Sequence, residues 1–146
     1  MIDLHPAKCN LCGGTVEYAS NAKIYGKKYG SGKCYICLTC KAYVGTHKPR
    51  PAEALGILAD AEMRLWKIKC HALFDKLWKS ELHNKNRGKS YYRDKYYGLL
   101  AAALGIGKAE CHFGYFGLDM LKRAYEVLGT QKLKARKNYR KRKIEK

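Results

Sequence analysis

Cys9-Asn10-Leu11-Cys12-Gly13-Gly14 and Cys34-Tyr35-Ile36-Cys37-Leu38-Thr39-Cys40 face each other across a short basic and aromatic interval. Two cysteines separated by two residues at a tight turn offer two thiolates to one ion, and a second such pair completes a tetrahedron. Gly13 and Gly14 agree with this, because the chain must fold sharply beneath the metal and glycine takes the required dihedrals without steric cost. The expected cofactor is one structural Zn2+ bound by four thiolates. Five cysteines compete for the four places, since Cys37 has the right spacing both to Cys34 and to Cys40. We prefer Cys9, Cys12, Cys37 and Cys40, which leaves Cys34 inside the incoming strand and sets the second knuckle at its end, mirroring the first. Cys34 in place of Cys40 is the alternative.

Outward from the cysteines, residues 15–19, 31–36 and 41–45 carry β-branched and aromatic side chains bounded by Gly, Asn and Ser, which predicts three short antiparallel strands. Such strands are not stable alone and need the metal to clamp them. Residues 1–48 are therefore read as a zinc ribbon, with a basic turn between its first two strands. His47-Lys48-Pro49-Arg50-Pro51 breaks regular structure, because each proline removes a donor and restricts its predecessor.

Residues 49–129 read as a small three-helix domain, so the fold class is α+β. The first helix runs over 60–83, with Asp60 as N-cap and Met63, Trp66, Cys70, Leu73, Leu77 and Trp78 on the apolar face. Ser90 caps a second helix to Leu104, with Tyr92, Tyr96, Leu99, Leu100 and Ala103 inward and Gly105 as its stop. The third covers 118–128, with Leu118, Leu121, Tyr125 and Leu128 on one side and Gly129 at its end. Residues 109–116 are open between a strand and a tight loop. Residues 130–146 form a basic tail with little to bury, expected to be flexible.

Thirty Lys and Arg against twelve Asp and Glu give a formal charge of +18. The excess divides as about +5 over residues 1–48, about +5 over 49–129 and about +8 over the tail. An anionic partner follows, and a duplex-mimicking inhibitor, which needs an acidic surface, is disfavoured. Seven cysteines, an odd number with five in a metal-type cluster, fit a reducing compartment rather than a disulfide framework. With no apolar run of about 18 residues and no signal-peptide pattern, the expectation is a soluble, cytoplasmic protein.

Nucleic acid, DNA or RNA, is the expected partner. Tyr25, Tyr29, Tyr35 and Tyr43 are interleaved with Lys23, Lys27, Lys28, Lys33 and Lys41, a pattern that stacks bases on rings while lysines follow phosphates. A second set joins Lys85, Arg87, Lys89, Arg93 and Lys95 to Tyr91 and Tyr92. The tail supplies a third, with Lys134, Arg136, Lys137, Arg140 and Arg142. An alternative reading is a metal-dependent nuclease. His71 and Asp75 lie four apart on one helix and His112 sits in a Gly-containing loop, with His47 and His83 as further imidazoles. No metalloprotease helix motif, phosphate loop or nucleophile elbow accompanies them.

The chain also resembles a family of small zinc-finger-containing proteins found mainly in phage and prophage genomes, which carries no assigned function. The likeness lies in the first knuckle, in Cys40-Lys41-Ala42-Tyr43-Val44-Gly45-Thr46-His47, in Leu55-Gly56-Ile57-Leu58-Ala59-Asp60, in His71-Ala72-Leu73-Phe74-Asp75-Lys76-Leu77-Trp78 and in Cys111-His112-Phe113-Gly114. It covers residues 8–128 and leaves the tail outside. It implies Cys37 and Cys40 as the second ligand pair, and a phage setting in a host cytoplasm. The reading reached is a non-enzymatic zinc-ribbon protein that binds nucleic acid or a nucleic-acid-bearing host complex. A protein-directed inhibitor of a host polymerase or defence nuclease is a further alternative.

Overall fold

A computed structural model describes residues 2–82 and 87–130. His83, Lys85 and the tail residues Lys134, Arg136, Lys137, Arg140 and Arg142 lie outside the described residues.

The three expected strands form with shifted ends, β1 (Val16–Ser20) and β2 (Lys33–Cys37) each reaching one residue further than expected and β3 (Tyr43–Gly45) starting two residues later. They make an antiparallel sheet in the order β1-β2-β3, with Val16 opposite Cys37, Ser20 opposite Lys33, and Ile36 opposite Tyr43. Because side chains alternate along a strand, this register sorts the sheet into two faces. Val16, Tyr35, Cys37 and Val44 share one face and pack with Cys9, Ala42, Ala54 and Leu58 into a small core. Ala19, Cys34 and Tyr43 belong to the other. Tyr35, expected among the base-stacking tyrosines, is thus a core residue, and its hydroxyl donates to the Ala52 carbonyl at 2.6 Å.

The interval between β1 and β2, expected as a plain basic turn, contains a one-turn helix, α1 (Ala22–Tyr25), closed by Gly26 at φ 80°. Asn21 organises it. Its buried amide donates to the Tyr29 carbonyl at 2.6 Å and accepts from the Tyr29 N–H at 3.1 Å, which fixes the loop that follows.

The proline-marked stretch has no helix or strand, yet it is hydrogen-bonded back onto the ribbon. Thr46 bridges Ala54, Tyr43 bridges Ala59, and the Ala54 N–H reaches the Leu4 carbonyl at 2.9 Å. These bonds cover a sheet too small to bury its own face. The first compact unit accordingly ends at Arg64 and the second begins at Leu65.

Helix α2 (Ala61–Lys79) opens on Asp60, whose carboxylate accepts the Met63 N–H at 2.8 Å. Its fully buried positions are Met63, Cys70, Phe74 and Trp78, while Trp66, Leu73 and Leu77 are half-buried. The centre of the stripe is therefore Phe74. Its ring lies 4.4 Å from Tyr97 and 5.6 Å from Phe113, an aromatic cluster that periodicity along one helix does not reveal.

Helix α3 (Lys89–Leu104) buries Tyr92, Tyr96, Leu99, Leu100, Ala101 and Leu104, and Gly105 closes it at φ 73°. Gly88 is its N-cap, so Ser90 sits inside the first turn and does not cap. Residues 109–116 are a loop with two 3₁₀ turns, at Lys108–Glu110 and Phe113–Tyr115. Helix α4 (Leu118–Gly129) buries Leu121, Ala124 and Leu128, while Tyr125 stays partly exposed against Trp66 at 5.5 Å. The buried Cys70 thiol donates to the Leu121 carbonyl at 3.3 Å, tying α2 to α4. The Lys95–Glu81 ion pair, 3.1 Å, joins α3 to the turn that follows α2.

Candidate metal centre and basic aromatic face

The two knuckles are built alike. In each, the first cysteine sulfur accepts an N–H from two residues on: Leu11 to Cys9 Sγ at 3.3 Å and Thr39 to Cys37 Sγ at 3.4 Å. In each, the residue after the second cysteine donates its N–H to the first cysteine's carbonyl, Gly13 at 2.9 Å and Lys41 at 3.1 Å. That turn needs a left-handed residue. Gly13 takes φ 76° at no cost, whereas Lys41 holds φ 67° with a Cβ and ties its ammonium to the Leu38 carbonyl at 3.0 Å.

This twofold arrangement brings the sulfurs of Cys9, Cys12, Cys37 and Cys40 within 4.8 Å of one another. Cys9 and Cys40 are 3.7 Å apart and Cys12 and Cys37 3.5 Å. A tetrahedral ion with Zn–S bonds of about 2.3 Å requires edges of about 3.8 Å, so the group fits zinc. The surrounding N–H donors, with Gly14 to Cys12 Sγ and Cys40 to Cys37 Sγ both at 3.4 Å, supply the partners that thiolates need. The Cys40 N–H lowers the Cys37 thiol to about 6. The Ala42 N–H works in the same direction on Cys40, but burial and the neighbouring sulfurs outweigh it and push that thiol up to about 12. A divalent cation relieves this conflict among four clustered thiols. Four protein ligands close the coordination sphere, so a bound ion cross-links the ribbon and has no open position for water.

Cys34 is buried on the other face of the sheet, its thiol 3.9 Å from the Ser20 carbonyl, and is not part of the group. Two further residues support the knuckles. The Asn10 side chain pairs with Leu58 like a strand edge, donating to its carbonyl at 3.0 Å and accepting its N–H at 2.9 Å. Its polar character within Cys-Asn-Leu-Cys was the only sequence signal for this. Gly14 is constrained by space, not by dihedral angle: a Cβ there would lie 2.7 Å from Thr39 Oγ1 and 3.0 Å from Cys37 Sγ. We expect Gly14→Ala to displace the second knuckle and weaken zinc retention by 10-fold or more, on the order of a lost supporting contact at a metal site. Competition with a chromophoric chelator measures it, and unchanged affinity would contradict the close packing.

The ribbon's basic and aromatic residues separate into distinct environments. Lys23, Tyr25, Lys27, Lys28 and Tyr29 occupy α1 and the loop after it, at the end of the hairpin away from the knuckles, and all are exposed. Lys23 is already paired with Glu17 at 2.7 Å. Tyr25 meets Tyr29 at 5.8 Å and Tyr43 at 6.4 Å, both edge to face. Lys33 instead lies over Tyr18, 5.6 Å from its ring centre. Arg64 stacks on Tyr43 at 4.1 Å and donates to the Ala59 carbonyl at 2.6 Å. Nothing local in the sequence links residues 43 and 64.

In the helical unit, Arg87 stacks on Tyr91 at 5.0 Å, while Lys89 and Arg93 lie exposed in the first turns of α3. Tyr92, grouped with the basic residues from sequence, is buried, and Lys95 is paired with Glu81. The residues of the nuclease alternative are held by aromatic neighbours. Asp75 accepts the Trp78 indole N–H at 2.8 Å. His71 lies edge-on to Phe113 at 4.8 Å, and burial holds its imidazole below the ordinary value while Asp75 acts in the other direction. His112 packs against Tyr115 at 4.6 Å.

Residues 5–131 match the model of a family described as a zinc-finger-containing domain. No curated protein and no solved structure matches the chain. Among the described residues, no helix is long and apolar enough to cross a membrane.

Proposed function

We propose a function from the premise that the chain belongs to the family of zinc-finger-containing domains: a non-enzymatic zinc ribbon that binds nucleic acid, alone or within a larger host complex. The observation that carries the reading is the hairpin tip, where Tyr25 and Tyr29 stand exposed among Lys27 and Lys28 on a chain of formal charge +18. Rings and ammonium groups so interleaved offer stacking and phosphate contacts together. A metal centre with its coordination sphere closed by protein favours a structural role over a hydrolytic one. The hydrogen bond that Trp78 makes to Asp75 likewise engages a carboxylate that a catalytic pairing with His71 would use. The phage setting and cytoplasmic location belong to the same proposal and draw their support from the family resemblance.

The test is salt-titrated binding of the zinc-loaded protein to single- and double-stranded DNA and RNA. With about six phosphates neutralised, affinity is expected to fall by roughly three decades between about 50 and 200 mM salt. Absence of binding at low salt to all four substrates would refute the reading. Cleavage of any of them with added magnesium or manganese, lost in His71→Ala or His112→Ala, would replace it with the nuclease.

A further inference from the structure

We propose that the cleft on the sheet face opposite the ribbon core receives one unpaired base of a single-stranded nucleic acid. This rests on the nucleic-acid reading above and adds where a base is held. The cleft has a volume of about 240 Å³ and is lined by Tyr25, Tyr29 and Tyr43, with buried Cys34 among its lining residues. Sites for drug-sized ligands are usually about 300–1,000 Å³, so this one suits a single ring system rather than a whole cofactor.

Three properties make the occupant a base. First, the tyrosines meet edge to face, Tyr25 with both Tyr29 and Tyr43, rather than stacked in parallel, so they do not bury one another's full faces. Tyr29 is 72% exposed and Tyr25 52%, a large aromatic area to leave in water beside a concave surface. Second, the position is fixed before any ligand arrives. Asn21 clamps the backbone of Tyr29 through two hydrogen bonds, and Arg64 is held on Tyr43 by stacking and by the Ala59 carbonyl. Third, the charge complements a strand: the guanidinium of Arg64 lies at Tyr43, and Lys27 and Lys28 follow from the loop that carries Tyr29. A duplex keeps its base faces covered by their neighbours, so a stacking site of this kind selects unpaired bases.

The experiment compares an oligothymidylate of about 12 nucleotides, within the site sizes common for single-strand binders, with an abasic strand of the same length and charge. Full-length, zinc-loaded protein is used at low salt. The intact strand is expected to bind about 5- to 150-fold more tightly, the span associated with one stacked base. Tyr29→Ala should remove most of that difference, Tyr29→Phe should keep it, and Lys27→Gln with Lys28→Gln should weaken both strands together. Equal affinity for the intact and abasic strands, or a difference that survives Tyr29→Ala, overturns the base site and leaves charge-driven binding standing. Failure of the wild-type protein to bind either strand overturns the base site, while the nucleic-acid reading falls only if duplex DNA and both forms of RNA also fail to bind.

Discussion

Replacing Cys12 with serine is expected to strip the protein of zinc and to unfold its first 64 residues. Structural zinc in small cysteine modules contributes an apparent 10–16 kcal/mol of folding free energy, as large as the whole stability of an ordinary domain. The ribbon has little else. Its strands are five, five and three residues long, and its core gathers around Cys9 and Cys37, themselves proposed ligands. Metal analysis should return one zinc per chain for wild type and for Cys34→Ser, and none for Cys12→Ser. Nuclear magnetic resonance should show amide dispersion lost across residues 9–45 in the latter. Full zinc in Cys12→Ser, or loss in Cys34→Ser, would contradict the ligand set.

Phe74→Ala should cost the helical unit about 3–5 kcal/mol, the range for truncating a buried phenylalanine where the surroundings cannot collapse. Phe74 is 1% exposed and is wedged between Tyr97 on α3 and Phe113 in the loop before α4, so its removal opens a cavity between two rings that otherwise touch only at 6.3 Å. Urea denaturation followed by the fluorescence of Trp66 and Trp78 gives the change. Leu73→Ala, at a half-buried neighbouring position, should cost less. Because Phe74 and the four cysteines fall in separate compact units, zinc content should stay at one per chain. A cost below about 1 kcal/mol would show that the aromatic cluster is not the centre of that unit.

What sequence could reveal followed the range of the interactions. The knuckles were legible because their chemistry is local: two cysteines at fixed spacing and a glycine where the chain turns left-handed. Strand and helix positions were legible for the same reason, down to Asp60 and Gly105 at the helix ends. Long-range packing was not. Phe74 was passed over for Leu73 and Leu77 because the aromatic cluster that buries it comes from residues 97 and 113. Tyr35 looked like a surface tyrosine until the sheet register turned it inward, and Tyr92, which sequence placed both on the inward stripe and in the basic set, belongs to the stripe alone. The importance of Gly14 was visible but its reason was not, since the nearby Thr39 and Cys37 sulfur belong to the second knuckle. Arg64 on Tyr43 joins positions 21 residues apart across irregular chain and left no periodic trace.

The register of the hairpin also has an electrical consequence. A zinc ion with four thiolates is an anion of about −2, placed where Val16 pairs with Cys37, while the lysine-bearing loop leaves from the other end, where Ser20 pairs with Lys33. Five residues of strand at about 3.4 Å each keep these poles roughly 15 Å apart, close to two Debye lengths at physiological ionic strength. The sheet thus serves as an insulating spacer. It lets a strongly cationic molecule carry a dianion at one end of the ribbon and an exposed lysine-bearing loop at the other, which gives the hairpin an electrical polarity along its length.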